Sequence, residues 1–387
     1  MHAGMAAGAV FLMVAVVATA AALERFSTFY QGELSRVDNR ELPLDGLRGI
    51  AALLVVAHHA GISYTWLVSG QWKTDSAFIM WLGPGGVTMF FMLTGYLFWK
   101  KARAAKGKVN AMNLWRGRLY RIGPLYWFSL CPILIIAVIK TDAGVLVPAN
   151  WQEFLRLVTL GAIHWKPTGD TDFATYNAYV VWTLYFEWRF YAFLPLLSFM
   201  STGRKTYWLA ILAYFVPVAG FWLNFNPWPW LMCILSFIPG MICAVVLDDD
   251  RLRSRLRQPA SAAIALFAMA FFFSIQYDPW SVPALPGALL PVFVVAAAGN
   301  NFFGLLTHPA IRCLGTISYS LYLLHGIIFY LTSSALKQMG LTGLSLLNYW
   351  VVITISAVAA VLVCAATYRW IEFPFLARRH ATTVNKA

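Results

Sequence analysis

Charge is what this chain has least of. Only 12% of its 387 residues are Asp, Glu, Lys or Arg, while 60% are hydrophobic. That balance excludes a soluble globular domain and points to a multi-span membrane protein. Acid is scarcer still, with 16 Asp and Glu against 29 Lys and Arg. Cysteine is sparse as well: Cys131, Cys233, Cys243, Cys313 and Cys364 are odd in number and show no CxxC spacing. Neither a disulfide framework nor a zinc site is therefore indicated. The chain has no metal or redox-cofactor signature, no internal repeat and no linker long enough to separate soluble domains.

What the chain has is apolar runs. Eleven hydrophobic segments lie near 3–23, 47–68, 78–99, 121–139, 179–200, 207–225, 229–247, 260–277, 284–303, 313–336 and 347–371. Their lengths suit membrane-spanning helices, so the expected fold is an all-α polytopic bundle. Residues 1–40 form an extension with an extra N-terminal span, 41–376 the membrane domain, and 377–387 a short tail. The first segment has no Lys or Arg before it and so lacks the basic start of a secretory signal.

The connections alternate in charge. Basic residues gather in 100–121, at Arg204 and Lys205, at Arg251, Arg253, Arg255 and Arg257, and at Arg312, Arg378 and Arg379. The exceptions are Lys73, Lys140, Arg156, Lys166, Arg189 and Lys337. This asymmetry predicts a cytoplasmic face for the basic loops and the C-terminus. It also accounts for the net charge of +13 without nucleic acid.

Ionisable groups inside apolar segments are costly and mark pathways or reactive sites. Arg48 and His59 are eleven residues apart in Leu44–Gly61, about three helical turns, so they share a face roughly 16 Å apart along the axis. His58 points about 100° away, so the two histidines do not share one task. His325 and Glu187, counted from the edges of their segments, fall at nearly the same depth as His59. Arg189, two residues from Glu187, points elsewhere on the helix and is a poor partner for it. Arg118 and Arg121, at i and i+3, would present two guanidinium forks, which suit phosphate. The small residues of Gly83-Pro-Gly-Gly86 favour close helix packing.

These blocks together resemble acyltransferase family 3, the bacterial inner-membrane O-acyltransferases that decorate surface glycans. Leu44-Asp-Gly-Leu-Arg-Gly49 with His59 eleven residues after the Arg looks like the first-helix signature of that family. Gly86–Tyr96 is similar to its second-helix block, with Thr94 where Ser is usual. Arg118-Leu-Tyr-Arg121 followed by Pro124 resembles its Arg-x-x-Arg motif. Trp182–Tyr191 resembles the block carrying its glutamate, here Glu187, and Ile317–His325 and Tyr368–Pro374 resemble its closing motifs. Arg189 and the doubled histidine are departures that leave the catalytic pattern intact.

The resemblance implies a ten-span core without an appended SGNH-type esterase domain, in the bacterial inner membrane. It implies an acyl-CoA donor, most simply acetyl-CoA, and a glycan or lipid-linked sugar as acceptor. His59 would be the general base, Glu187 or His325 its partner, and Arg118, Arg121 and Arg48 the groups that meet the phosphates of coenzyme A; direct transfer and a relay through an acyl-enzyme on His59 both stay open. The outer connection 140–178 holds Trp151, Trp165, Asp170, Asp172 and Tyr176, a mix that suits sugar. The competing reading is a transporter or proton-coupled carrier, since buried His and Glu also form proton relays; inverted repeats would favour it, and none is found.

Overall fold

The computed structural model describes residues 2–36, 41–140, 155, 157–162, 173–202, 235–274 and 285–384. Every regular element among them is helical. In order they are α1 (His2–Phe26), α2 (Thr28–Ser35), α3 (Leu42–Ser69), α4 (Ala77–Ala104), α5 (Ala111–Lys140), α6 (Trp182–Ser198) and α7 (Phe237–Val246). There follow α8 (Asp250–Leu256), α9 (Pro259–Ser274), α10 (Leu285–Ala297), α11 (Pro309–Thr316), α12 (Ser318–Gln338), α13 (Leu346–Thr367) and α14 (Phe373–Val384).

Among the described residues six helices are long and apolar enough to cross a membrane: α1, α3, α4, α5, α12 and the run that begins with α13. A seventh span results if α8 and α9, bent by 73° at their break, count as one. The expected ten-span core is thus met only in part. The segment at 207–225 lies outside the described residues, as do the start of 229–247 and Trp151, Trp165, Asp170 and Asp172. One expected span is shorter than drawn, since α10 has thirteen residues and ends at Ala297.

Local chemistry explains several boundaries. α3 opens with Pro43 in its first turn and closes on Gly70, whose φ of 71° suits a glycine C-cap. The apolar run 313–336 is not one helix. His308 caps the N–H of Ala310 to start α11, and the chain turns at Ile317 before α12. Hydrophobicity alone cannot show a bend between two apolar helices. Pro84, Pro124, Pro132, Pro195 and Pro291 all sit inside helices, where neighbouring helices can satisfy the freed backbone groups.

α3 is the centre of the bundle, packed against α4, α11 and α12, while α7 lies along α4. α1 lies against α13 and α11, burying Met5, Leu12, Val16 and Ala20. A hydrogen bond from the Tyr30 hydroxyl to the Ala365 carbonyl (2.7 Å) ties the N-terminal extension to the rest. Burial holds the Tyr30 phenol above its usual range, so it remains a donor.

The two ends of the bundle differ in kind. At one end Lys100 pairs with Glu41, and Arg103 pairs with Asp248 and bonds the Ala244 carbonyl at 2.6 Å. There too Arg312 bonds the Leu34 carbonyl at 2.7 Å and Arg257 that of Ala298 at 2.8 Å. The other end carries Trp66, Trp72, Tyr176, Tyr179 and Tyr330 in contact.

Candidate active site

The centre of the bundle holds a pair of imidazoles. α3 supplies His59 and α12 supplies His325, and Nδ1 of His59 lies 2.9 Å from Nε2 of His325. His325 is fully buried and its Nδ1 is 2.7 Å from the Leu321 carbonyl, one turn back. A carbonyl can only accept, so that nitrogen carries the proton. In a neutral imidazole the opposite nitrogen is then bare, so Nε2 of His325 accepts from Nδ1–H of His59. The chain of bonds ends with Nε2 of His59 holding its lone pair. A histidine held in that tautomer is a base with a defined direction.

His58 makes the contrast. It is buried, and its Nδ1–H donates to the Ile79 carbonyl at 2.8 Å. Its ring fills the space beside Gly83, where any Cβ would collide with it. His58 therefore bolts α3 to α4, and the small residue at position 83 is what admits it.

Toward the basic end α12 meets a second polar cluster. Tyr191 donates to Oε2 of Glu187 at 2.7 Å, and Arg118 lies over the rings of Phe98 and Tyr191, 4.7 and 5.6 Å from their centroids. Arg121 reaches Glu372 at 3.5 Å, and Ser320 donates to the other oxygen of that carboxylate. Glu187 is in electrostatic contact with Arg118 and Arg121. The structure thus brings His59 and His325 together and groups Glu187 with the two arginines. Arg48 lies farther along α3, part-exposed, 2.7 Å from Asp45. Arg189 rests on the ring of Tyr185 at 3.3 Å.

Glu372 and Trp72 were not singled out from sequence. Glu372 lies two residues before Pro374 in the closing block, which was its signal. It sits in a π-turn, Tyr368–Glu372, that joins α13 to α14. Trp72 had no local signal, because the chain must fold back after Gly70 to put its ring 6.2 Å from that of His59. No cluster of His, Cys, Asp or Glu that could hold a metal occurs among the described residues.

A helical membrane bundle with a hydrogen-bonded imidazole pair at its core is the class that fold and site define. The model of the acyltransferase domain of family 3 matches residues 42–369, and the chain belongs to that family. It is similar to the exopolysaccharide production protein ExoZ of Rhizobium meliloti, 25% identical over 79% of this chain and 93% of that protein. It is also similar to the peptidoglycan O-acetyltransferase OatA of Listeria monocytogenes, 23% identical over 88% of this chain and 56% of OatA. The O-acetyltransferase OatA of Staphylococcus aureus is 23% identical over 87% of this chain and 57% of its own length. The chain spans a little over half the length of the OatA proteins. No solved structure matches.

Proposed function

We propose that this membrane acyltransferase moves an acetyl group from acetyl-CoA at the basic end to a hydroxyl of a surface or extracellular glycan at the other. The observation that carries the reading is the fixed tautomer of His59, whose Nε2 has a lone pair and whose Nδ1–H is already engaged. That nitrogen takes the acceptor's hydroxyl proton as the oxygen attacks the thioester carbonyl. The carbon–sulfur bond then breaks, and the leaving thiolate of coenzyme A recovers the proton from His59. His325 orients the ring and spreads the transient positive charge. General base catalysis of this kind contributes about 10²–10⁴ in rate.

The rest of the site supports a donor at the basic end. Arg118 and Arg121 are part-exposed on consecutive turns of α5, beside the part-exposed Glu187 and the buried Glu372 that hold them in place. Arg48 stands about 16 Å from His59 along α3. Charge-assisted bonds to the phosphates of coenzyme A are what such guanidinium groups make best. The acetyl assignment draws on relatives named O-acetyltransferases. With the basic end in the cytoplasm of a bacterial inner membrane, the donor side is also the side where acyl-CoA is made.

Purified protein in lipid nanodiscs, given acetyl-CoA labelled in the acetyl group and a glycan acceptor, should yield labelled glycan. Uptake of the sugar by proteoliposomes of the same protein, without label transfer, would favour the carrier reading instead. Orientation has its own test. A cysteine at position 255, in a background with Cys131 and Cys233 replaced by Ser because Cys131 is the exposed thiol among the described residues, should label only from the cytoplasm; labelling from outside would reverse the donor side.

A further inference from the structure

The end of the bundle opposite the arginines carries a set of aromatic rings that the transfer chemistry does not use. The ring of Trp72 lies 6.2 Å from that of His59 and 5.6 Å from that of Tyr179. Trp66 lies 6.4 Å from Trp72 and 5.6 Å from Tyr330, and Tyr330 lies 4.8 Å from Tyr176. Trp66, Trp72, Tyr179 and Tyr330 are all part-exposed. Buried aromatics that only fill a core would not be, and an apolar lipid contact would not need a tryptophan ring set beside a histidine.

The turn that brings Tyr179 in is built under strain. Ala178 and Tyr179 have φ of 57° and 60°, a left-handed conformation that residues with a Cβ rarely adopt. That turn lies on Gly326, next to His325, where a Cβ would strike the Asn177 backbone. The side chain of Asn177 is fully buried, and among the described residues neither its amide oxygen nor its nitrogen has a hydrogen-bond partner. An unpaired buried amide costs free energy, which a hydroxyl-bearing ligand would relieve. Positive charge stands beside the rings: Nζ of Lys337 is 3.6 Å over the ring of Trp66, and Lys140 is near enough to Lys337 to act on it electrostatically.

The geometry points to an acceptor subsite for an acidic sugar chain, with one sugar ring stacked on Trp72 and a negatively charged unit toward Lys337. The C–H face of a pyranose is apolar and suits an indole, while its rim of hydroxyls suits Tyr and Asn side chains. From His325 to Lys337 is twelve residues of α12, about 18 Å, room for a short run of sugar units. A ring on Trp72 would bring a hydroxyl to Nε2 of His59. This rests on the proposed transfer reading for the word acceptor, but its test does not.

The test is binding without donor, using full-length protein in nanodiscs of neutral phosphatidylcholine. The probes are a six-unit oligogalacturonate and the uncharged maltohexaose. The acidic probe should bind more tightly. Trp72→Ala should weaken it at least tenfold, Trp72→Phe much less, and Lys337→Gln should remove about tenfold of the preference for the acidic probe. Asn177→Leu should keep or raise the melting temperature, since an orphan amide is lost, yet weaken sugar binding. If Trp72→Ala fails to fold, Lys337→Gln and Asn177→Leu decide. Equal affinity of wild type and these variants, no binding of either sugar, or binding of phosphatidylglycerol vesicles in place of sugar would each overturn the subsite. Because no acyl-CoA is present, failure of His59 as base would leave these results unchanged and show only in label transfer.

Discussion

The two ends of this bundle hold their ionisable groups in opposite ways. At the basic end three arginines are matched with acids: Arg121 with Glu372, Arg118 with the Tyr191–Glu187 pair, Arg103 with Asp248. At the far end Lys337 stands over the ring of Trp66, with the like charge of Lys140 acting on it. Both arrangements hang on one helix, since α12 carries Ser320 at the first, His325 at the centre and Tyr330 and Lys337 at the second. The comparison teaches that a site can be prepared in two ways. Paired arginines are held in a fixed geometry, whereas the rings present open faces; in the proposed reading the first suits the phosphates of the donor and the second a range of sugars.

The largest effect should come from the point between the two ends. His59→Ala should lower acetyl transfer by about 10²–10⁴ with insertion intact. His58→Ala should instead cost about 1–3 kcal/mol of stability, because it removes the bond to the Ile79 carbonyl and empties the space beside Gly83, while the transfer rate per folded molecule is kept. Thermal melting beside a labelled-acetyl assay separates them, and equal loss of rate in both at equal protein levels would undo the division of labour.

A smaller loss is expected at His325. Ala removes the acceptor for Nδ1–H of His59 and frees the ring to flip, so transfer should fall by about ten- to a hundredfold. Gln, whose amide oxygen can accept that proton, should recover part of the rate. Recovery by Phe to the same degree would mean that His325 only fills space. At the basic end, Arg121→Ala should weaken coenzyme A binding about ten- to a hundredfold and Arg121→Lys less. Binding of the sugar probes should stay as it is in both, which isothermal titration of each ligand reads directly. A parallel fall in sugar binding would show that the two ends are one site.

Much of this was legible in the sequence, and the failures have physical causes. His59 could be told from His58 because helical periodicity fixes direction within one helix. Their partners across the bundle were harder. Glu187 was placed level with His59 by counting from segment edges, but α6 is only seventeen residues long, and Glu187 keeps company with Arg118 and Arg121. Depth counted along a chain carries no information on which neighbour lies beside it. Glu372 was masked for a related reason, since a lone acid near the end of an apolar run reads as an interfacial residue. Trp72 depended on a reversal at Gly70 whose direction no local pattern encodes. The apolar run around Ile317 likewise hid a joint, since hydrophobicity is the same on both sides of it.

The π-turn at Tyr368–Glu372 has a consequence for how this chain can vary. There Phe373 N–H bonds the Tyr368 carbonyl, five residues back, so the helix holds one residue more than an α-helical path would. That surplus residue is absorbed within the turn, so Phe373 stands where the fourth residue after Tyr368 would stand in an ordinary helix. Removing one residue from 369–371 would convert this bond to the α-helical kind and leave Glu372 beside Arg121 and Ser320, and Phe373 edge-on to Phe29. The same deletion within α13, where no residue is in surplus, would turn the chain on one side of it by about 100° relative to the other. This turn is therefore the place where the helix can lose a residue and keep both the arginine cluster and the N-terminal extension in contact.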